Sequence, residues 1–138
     1  MLLKYPNSNV DFVVTPAYFL GDFDVYDREE TLGARLEEFD PNNDEQLQVV
    51  LEEYFFRGAR ATGLTAEHKA ELVRVLEDAL ENANFDFDSL VAHERDPDDY
   101  FTLPYNWDIK RPKEFFKKVH SLAVEFWRND LGEIGLNT

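Results

Sequence analysis

Apolar side chains at helical spacing are the feature that most constrains the fold of this chain. The clearest example is residues 112–127, where large apolar residues share one face of a predicted helix. That face comprises Phe115, Val119, Leu122 and Phe126, widened by Phe116, Ala123 and Trp127. Pro112 suits the first turn of a helix, and Gly132 stands where the helix should end. The pattern therefore predicts a long C-terminal helix.

Three further stretches show the same periodicity. A helix is predicted to begin at Asp27, because the acid three residues later completes the spacing of a capping box. Residues 40–44 end that helix and open a second one, whose apolar stripe covers residues 47–55. Thr65 is the expected cap of a third helix over residues 66–82. Together with the C-terminal helix, these stretches predict a bundle.

The first 26 residues lack helical periodicity. Residues 10–14 alternate as in a short strand, and residues 23–26 are a second candidate strand. No repeat, linker or low-complexity tract divides the chain. We therefore expect a mainly α fold with one domain over residues 1–138, in which an extended arm at 1–26 precedes a bundle of about four helices at 27–138.

The net charge of −15 is the second unusual feature, with 29 acids against 14 bases. Acidic disordered chains are poor in aromatic residues, whereas this one holds 12 Phe, 6 Tyr and 2 Trp, so a folded protein is expected. Residues 1–100 carry a net charge of −16 and residues 101–138 carry +1. Solubility and long-range attraction of a cationic partner both explain such an excess.

Several classes of chemistry are disfavoured by composition. The chain has no cysteine, which excludes disulfides and thiolate sites. Its glycines form no phosphate-binding loop, and no serine stands in a nucleophile elbow. No cofactor is expected, and the enzyme class is disfavoured. The sequence shows neither a secretion signal nor a membrane span, so a cytoplasmic location is expected.

Three patterns resemble metal or nucleic-acid sites. His68 and Glu71 share a helical face, but a single pair of ligands is more typical of an exposed polar face. Residues 40–44 resemble the start of a calcium loop, yet the required glycine is replaced by Glu45. The basic residues at 110–118 form a short cluster, so direct nucleic-acid binding is not expected.

The tract at residues 84–107 interleaves aromatic residues with aspartates and is predicted to be mostly loop, with one helical turn near residues 89–92. Aromatic rings beside charges are typical of interface hot spots. The alternative is that the rings fill the core while the aspartates cap helices. The candidate partner-binding residues are Asp86, Asp88, Asp96, Asp98, Asp99, Tyr100, Tyr105 and Trp107.

Part of this tract and the last helix resemble the immunity proteins of the colicin and pyocin nuclease group. The resemblance is carried by tyrosines beside a proline at residues 100–105, by Asp108, by residues 112–115, and by Trp127 followed by Arg128. It also extends in role to immunity proteins of contact-dependent inhibition systems. The resemblance implies a cognate toxin that is inhibited by occlusion.

The leading hypothesis is therefore an immunity or inhibitor protein that neutralises a basic toxin, with a nuclease as the expected partner. Asp96, Asp98 and Asp99 would pair with toxin cations, while Tyr100 and Tyr105 would anchor the contact. A nucleic-acid mimic that blocks a host DNA-binding enzyme needs the same acidic surface and stays an alternative. A small metal-dependent enzyme that uses His68 and Glu71 is the third hypothesis.

Overall fold

The computed structural model describes residues 3–91, 102–104 and 106–133. Within these ranges the regular structure is helical, apart from one isolated antiparallel bridge between Lys4 and Asp11. The predicted mainly α class is confirmed, although the helices are shorter and more numerous than the four expected. No helix in the described part of the chain has the length and apolar character needed to cross a membrane.

Up to residue 91 the helices follow one another with short connections. In chain order they are a 3-10 helix at Pro16–Phe23, a π-helical turn at Glu29–Gly33 that runs into α1 at Ala34–Leu36, α2 at Asp44–Leu51 with a π-helical continuation at Glu52–Phe56, α3 at Ala59–Thr62, α4 at Ala66–Glu81, α5 at Asp88–Val91, α6 at Pro112–Phe126 and α7 at Arg128–Glu133.

The two long helices, α4 and α6, match their sequence predictions closely. Thr65 caps α4, and its hydroxyl accepts a hydrogen bond from the backbone N–H of His68 at 3.3 Å. The apolar stripes of the two helices pack against each other, with Leu72, Leu76 and Phe116 fully buried. Helix α7 also packs on α4. Local periodicity and capping therefore suffice to explain this part of the fold.

The predicted helix start at Asp27 is wrong. Asp27 adopts a left-handed conformation with φ of 62°, whereas a capping residue needs an extended backbone. The helical stretch begins at Glu29 instead, after Arg28, whose side chain makes no capping hydrogen bond. The backbone carbonyl of Arg28 accepts from the N–H groups of Thr31 and Gly33, at 3.2 and 3.0 Å. Asp27 thus belongs to the turn before the helix.

The predicted second strand at residues 23–26 is also wrong. A 3-10 helix ends at Phe23 and is followed by irregular residues and a turn at 24–26; Thr15 caps this helix by accepting a hydrogen bond from the N–H of Ala17 at 3.2 Å. The helix buries Phe19, Leu20 and Phe23 on one side. Helical geometry was favoured because it places these three large side chains in the core together, which an alternating strand cannot do.

The segment before this helix folds back on itself without forming a regular strand. Tyr5 donates its backbone N–H to the carbonyl of Val10 at 2.9 Å, across a turn in which Asn7 has φ of 57°. Of the alternating residues, Phe12 is buried, but Val10 is 62% exposed. We call residues 3–14 the N-terminal arm.

One hydrophobic core joins all of these elements and includes residues from Phe12 to Leu131. Aromatic rings fill much of it. Phe19 and Phe55 have ring centroids 5.2 Å apart, and Phe23 lies 5.3 Å from Trp107. The core therefore contains rings from the predicted arm at residues 1–26, such as Phe19 and Phe23, and Trp107 from the 84–107 tract.

Candidate partner-binding surface

The structure describes three of the eight residues predicted to contact a partner. Asp86 and Asp88 are exposed near the start of α5, and Trp107 is buried. The other five lie outside the described residues and stay predictions: Asp96, Asp98, Asp99, Tyr100 and Tyr105.

Trp107 belongs to the core and not to a binding surface. Its side chain is fully buried, and its indole N–H donates to the backbone carbonyl of Leu36 at 2.9 Å. A ring without accessible surface offers no contact area to a partner. The prediction of Trp107 as a contact residue is therefore wrong. The sequence could not show this, because the hydrogen-bond acceptor of Trp107 lies 71 positions away along the chain.

The short stretch around Asp86 agrees with the alternative interpretation of the 84–107 tract, in which the rings fill the core and the aspartates cap helices. The Asp86 carboxylate accepts a hydrogen bond from the N–H of Ser89 at 3.2 Å, which caps α5. Phe87 is buried and packs on Phe116, with ring centroids 5.2 Å apart. In this stretch the buried ring fills the core, while Asp86 and Asp88 face solvent.

Among the described residues, most exposed carboxylates lie elsewhere, in residues 26–53, which we call the acidic segment. Nine of its acids are exposed: Asp27, Glu29, Glu30, Glu37, Glu38, Asp40, Asp44, Glu45 and Glu53. The one ion pair that the described residues form with this segment joins Glu52 to Arg57. None of the nine therefore forms an ion pair within the described structure.

Tyr26 stands at the beginning of the acidic segment and is 53% exposed. The Asp24 carboxylate accepts from the backbone N–H groups of Tyr26 and Thr102, both at 3.1 Å, so this turn is tied to another part of the chain. An exposed ring among free carboxylates is the combination that was predicted for the 84–107 tract. In the sequence, the run of acids on both sides of Tyr26 is the signal that could have indicated this surface.

A cleft of about 400 Å³ opens within the acidic segment. Glu37, Glu38 and Asp40 line it, and the loop after Trp107 adds Asp108 and Lys110. Lys110 pairs with Asp108 at 2.9 Å, so it neutralises that carboxylate and leaves the other three. A concave surface with three uncompensated carboxylates attracts ammonium and guanidinium groups.

Two asparagine amides hold the cleft together. Asn106 donates to the backbone carbonyl of Glu37 at 2.9 Å. Asn42 donates to the carbonyl of Asp108 at 2.6 Å and accepts from the N–H of Lys110 at 2.9 Å. The loop at 106–110 is thereby fastened to the end of α1 and to the start of α2, which gives the carboxylates a fixed frame.

The calcium-loop resemblance at residues 40–44 is explained by this frame. Asn43 caps α2 by accepting from the N–H of Gln46 at 3.1 Å, and Asp40 accepts from the N–H of Asn42 at 2.9 Å. The amide of Asn42 is already bonded to the 106–110 loop. The prediction that this stretch ends one helix and begins another is confirmed.

Both residues named in the metal hypothesis, His68 and Glu71, are engaged in hydrogen bonds within the protein. His68 is buried, and its Nδ1 accepts from the N–H of Thr65 at 3.3 Å. Glu71 forms two hydrogen bonds of 2.8 Å with the Arg74 guanidinium, which lowers the pKa of the Glu71 carboxyl. In the described ranges no three potential ligands come together in a metal-binding group.

A second polar group, beside the acidic segment, uses its charge internally. The Arg60 guanidinium donates to Asp22 at 3.0 Å and lies 4.3 Å from the centre of the Tyr18 ring. Burial raises the pKa of the Asp22 carboxyl, although Arg60 acts in the opposite direction. Burial likewise raises the pKa of Tyr18. This group fastens the 3-10 helix to α3 and has a structural role.

Comparisons with protein-family models, with curated proteins and with solved structures find no match for this chain. No relative therefore supplies a partner or a residue role. The features from which a function can be inferred are the free carboxylates of the acidic segment, the cleft among them and the exposed ring of Tyr26.

Proposed function

We propose that this chain is an immunity or inhibitor protein that binds a cognate basic protein toxin and blocks it by occlusion. One observation carries the proposal: the acidic segment exposes nine carboxylates that have no ion-pair partner among the described residues, and three of them share a cleft. Inhibition by occlusion needs a complementary surface and no catalytic group, which agrees with a chain whose polar clusters are held by structural hydrogen bonds.

A basic partner is favoured by the energetics of this surface. Carboxylates that crowd together repel one another and destabilise the compact state, whereas a cationic partner converts that repulsion into attraction. Such complementarity raises association rates about 10- to 1,000-fold at low salt. A nuclease is the expected target, because a protein that binds phosphates presents the lysines and arginines that these carboxylates would pair with.

Solubility alone explains the acidic segment less well. A soluble surface needs net charge, but it does not need that charge to be unpaired in one segment and paired in another. On α4 and α6, Glu71 pairs with Arg74 at 2.8 Å and Glu114 with Lys117 at 3.3 Å, so about half of the acids there are paired, although Glu67, Glu81 and Glu125 have no ion pair among the described residues. The acidic segment, in contrast, leaves its own cations Arg28 and Arg35 outside any ion pair seen in the described structure.

The test takes the product of the neighbouring open reading frame as the candidate toxin and measures its association rate with this protein by stopped flow at several salt concentrations. The site variant removes the cleft charges through Glu37→Gln, Glu38→Gln and Asp40→Asn. A matched control removes three exposed carboxylates from α4 and α6 through Glu67→Gln, Glu81→Gln and Glu125→Gln. Both variants have the same net charge, so they differ in where the charge was removed.

We expect the site variant to associate about 10-fold more slowly at low salt, and the control to change by less than about 3-fold. The wild-type rate should fall as added salt screens the charges. An equal decrease of the association rate in the two variants, or a wild-type rate that does not depend on salt, would contradict the proposal. Inhibition of a host DNA-binding enzyme without any effect on the toxin would favour the nucleic-acid mimic instead.

Tyr26 is the proposed anchor of the contact. Tyr26→Ala should raise the dissociation rate about 30-fold, because a central aromatic anchor is worth about 2 kcal/mol or more. Val13, which is 74% exposed in the N-terminal arm, supplies the control: Val13→Ala should leave that rate unchanged. Surface plasmon resonance measures both, and an unchanged rate in Tyr26→Ala would remove Tyr26 from the interface.

A further inference from the structure

Among the described residues, His68 is the only polar or charged one that is buried, with 4% of its surface exposed. Its Nε2 is hydrogen-bonded to the backbone carbonyl of Lys4, and a carbonyl can only accept. Nε2 therefore carries the hydrogen. Nδ1 has the free lone pair, which accepts from the N–H of Thr65 at 3.3 Å, and it also lies 2.7 Å from the Thr65 hydroxyl. The bond from the Thr65 N–H requires the neutral form of the imidazole.

One side chain thus performs two structural tasks. Thr65 and His68 cap the start of α4 reciprocally, in the manner of a capping box, where glutamate or glutamine usually takes the second position. The other edge of the same imidazole holds the N-terminal arm at Lys4, and the ring packs edge-on against Phe12 at 4.7 Å between centroids. The arm and the first turn of α4 therefore depend on a single titratable group.

Protonation would disturb this arrangement in three ways. Nδ1 would become a donor, so it would lose the bond from the Thr65 N–H and keep only the contact with the Thr65 hydroxyl, whose oxygen can accept. A positive charge would stand at the N-terminus of a 16-residue helix, where the macrodipole disfavours it. The charge would also be buried without compensation, since no described carboxylate lies within 4.0 Å of the imidazole nitrogens. The bond to Lys4 would survive, but it cannot replace hydration of the imidazolium.

The charged groups of the surrounding elements do not offset this cost. On the arm, Lys4 pairs with Asp11, and on α4, Glu71 pairs with Arg74. Lys69 of α4 pairs with Asp130 of α7 at 2.7 Å. Glu67 in the first turn of α4 is exposed, and the rings of Tyr5 and Tyr18 contact Phe12. The nearby carboxylates are thus paired with cations or face water.

We propose that His68 makes the N-terminal arm a pH-sensitive strap, which detaches from α4 when His68 is protonated while the helical core stays folded. Histidine is the side chain that ordinarily changes charge between about pH 5 and 8. Lifting the arm gives the imidazolium access to water and uncovers Phe12. This inference is independent of the proposed function, because none of the residues involved belongs to the acidic segment.

His120 provides an internal contrast. Its Nε2 lies 3.3 Å from a carboxylate oxygen of Glu77, and its side chain is partly exposed. Protonation of His120 adds an ion pair between α6 and α4, so it strengthens the contact instead of breaking it. The two histidines should therefore respond to acid in opposite directions.

Hydrogen exchange on the full chain tests the strap. The amides of Tyr5 and Phe12 donate within the arm, to Val10 at 2.9 Å and to Leu3 at 2.6 Å, and amides in the middle of α6 serve as the reference. Between pH 7.5 and 5.0 we expect the arm protection factors of the wild type to fall at least about 10-fold, with α6 unchanged. His68→Gln supplies an acceptor and a donor that do not titrate, so its arm should show no such fall. His120→Gln should behave as the wild type.

Constant arm protection in the wild type would overturn the proposal, and so would simultaneous loss in the arm and α6. His68→Gln can weaken the arm contact for reasons unrelated to protonation, so the variant alone does not decide the question. A second measurement is therefore an NMR titration of the His68 ring in the wild type. The midpoint of that titration must coincide with the loss of arm protection, and a mismatch between the two midpoints would refute the strap.

Discussion

The acidic segment and the α4–α6 pair use charge in opposite ways. On α4, Arg74 bridges Glu71 and Asp78 at 2.8 Å each, and His120 of α6 reaches across to Glu77 of α4. In the acidic segment nine exposed carboxylates stay unpaired within the described structure. The α4–α6 pair thus satisfies four of its seven acids internally and leaves Glu67, Glu81 and Glu125 unpaired among the described residues, whereas the acidic segment pairs one of its ten acids and leaves the others available to a partner.

The backbones of the two regions differ as well. α4 and α6 are regular α-helices of 16 and 15 residues. The acidic segment contains two π-helical turns, Glu29–Gly33 and Glu52–Phe56, and each begins with two consecutive glutamates. π-helical turns are rare in proteins, and those that occur are often found at functional sites. The irregular geometry therefore coincides with the charges that the proposed function uses.

The largest expected effect would come from weakening the α4–α6 pair. Leu76 is fully buried between the helices, so Leu76→Ala should lower the free energy of unfolding by about 2–5 kcal/mol through lost burial and a cavity. Leu80→Ala, on the partly exposed edge of α4, is the control and should cost less. Urea denaturation measures both, and a loss below about 1 kcal/mol at Leu76 would contradict the assignment of stability to this pair.

A smaller effect is expected where the acidic segment is fastened to the core. Trp107→Phe removes the hydrogen bond to the Leu36 carbonyl, which then keeps the bond that it accepts from the N–H of Phe39 at 3.0 Å. Trp127→Phe is a matched control, because Trp127 is also buried but the described residues show no hydrogen bond to its indole N–H. We expect Trp107→Phe to cost about 1 kcal/mol more than the control in thermal denaturation. Equal costs would show that the bond contributes nothing.

The pH dependence of stability should separate two partly buried, arginine-paired carboxylates, Asp22 and Glu71, because burial dominates at the first and the hydrogen bond to Arg74 at the second. Burial raises the pKa of Asp22 in the folded state, so the folded protein binds this proton more tightly than the unfolded chain. Stability should therefore fall as the pH rises from the unfolded pKa through the raised folded value, and Asp22→Asn should abolish that contribution.

Glu71 should show the opposite sign. Arg74 lowers the pKa of its carboxyl, so its contribution is present above the unfolded pKa and is lost as the pH falls through the folded one. Urea denaturation of the wild type, Asp22→Asn and Glu71→Gln between pH 3 and 6 measures both contributions. The same sign for the two residues would contradict these assignments.

The smallest effect is expected at the exposed Arg74 network. Arg74→Ala should lower stability by about 0.5 kcal/mol or less at low salt, because exposed ion pairs are well solvated. The difference from the wild type should shrink at high salt. A loss above about 1 kcal/mol would show that paired charges, and not only apolar burial, hold α4 in place.

Much of the regular structure follows from local sequence. The spacing of apolar residues and the Thr65 cap specify α4, and Pro112 with its following stripe specifies α6. The start of the helix after Asp27 was missed, because the left-handed conformation of that residue depends on how the preceding turn packs. The 3-10 helix at Pro16–Phe23 was missed because its three buried side chains are selected by the core.

The sequence by itself determined the mainly α class, the two long helices and the acidic excess, since periodicity, capping and charge are properties of neighbouring residues. Only the tertiary structure decided that Trp107 is buried, that His68 holds the arm, and that the free carboxylates lie around a cleft at Glu37. The contacts responsible join residues 64 to 71 positions apart. Chain folding brings such residues together through the shared core, and no local pattern encodes which of them will meet.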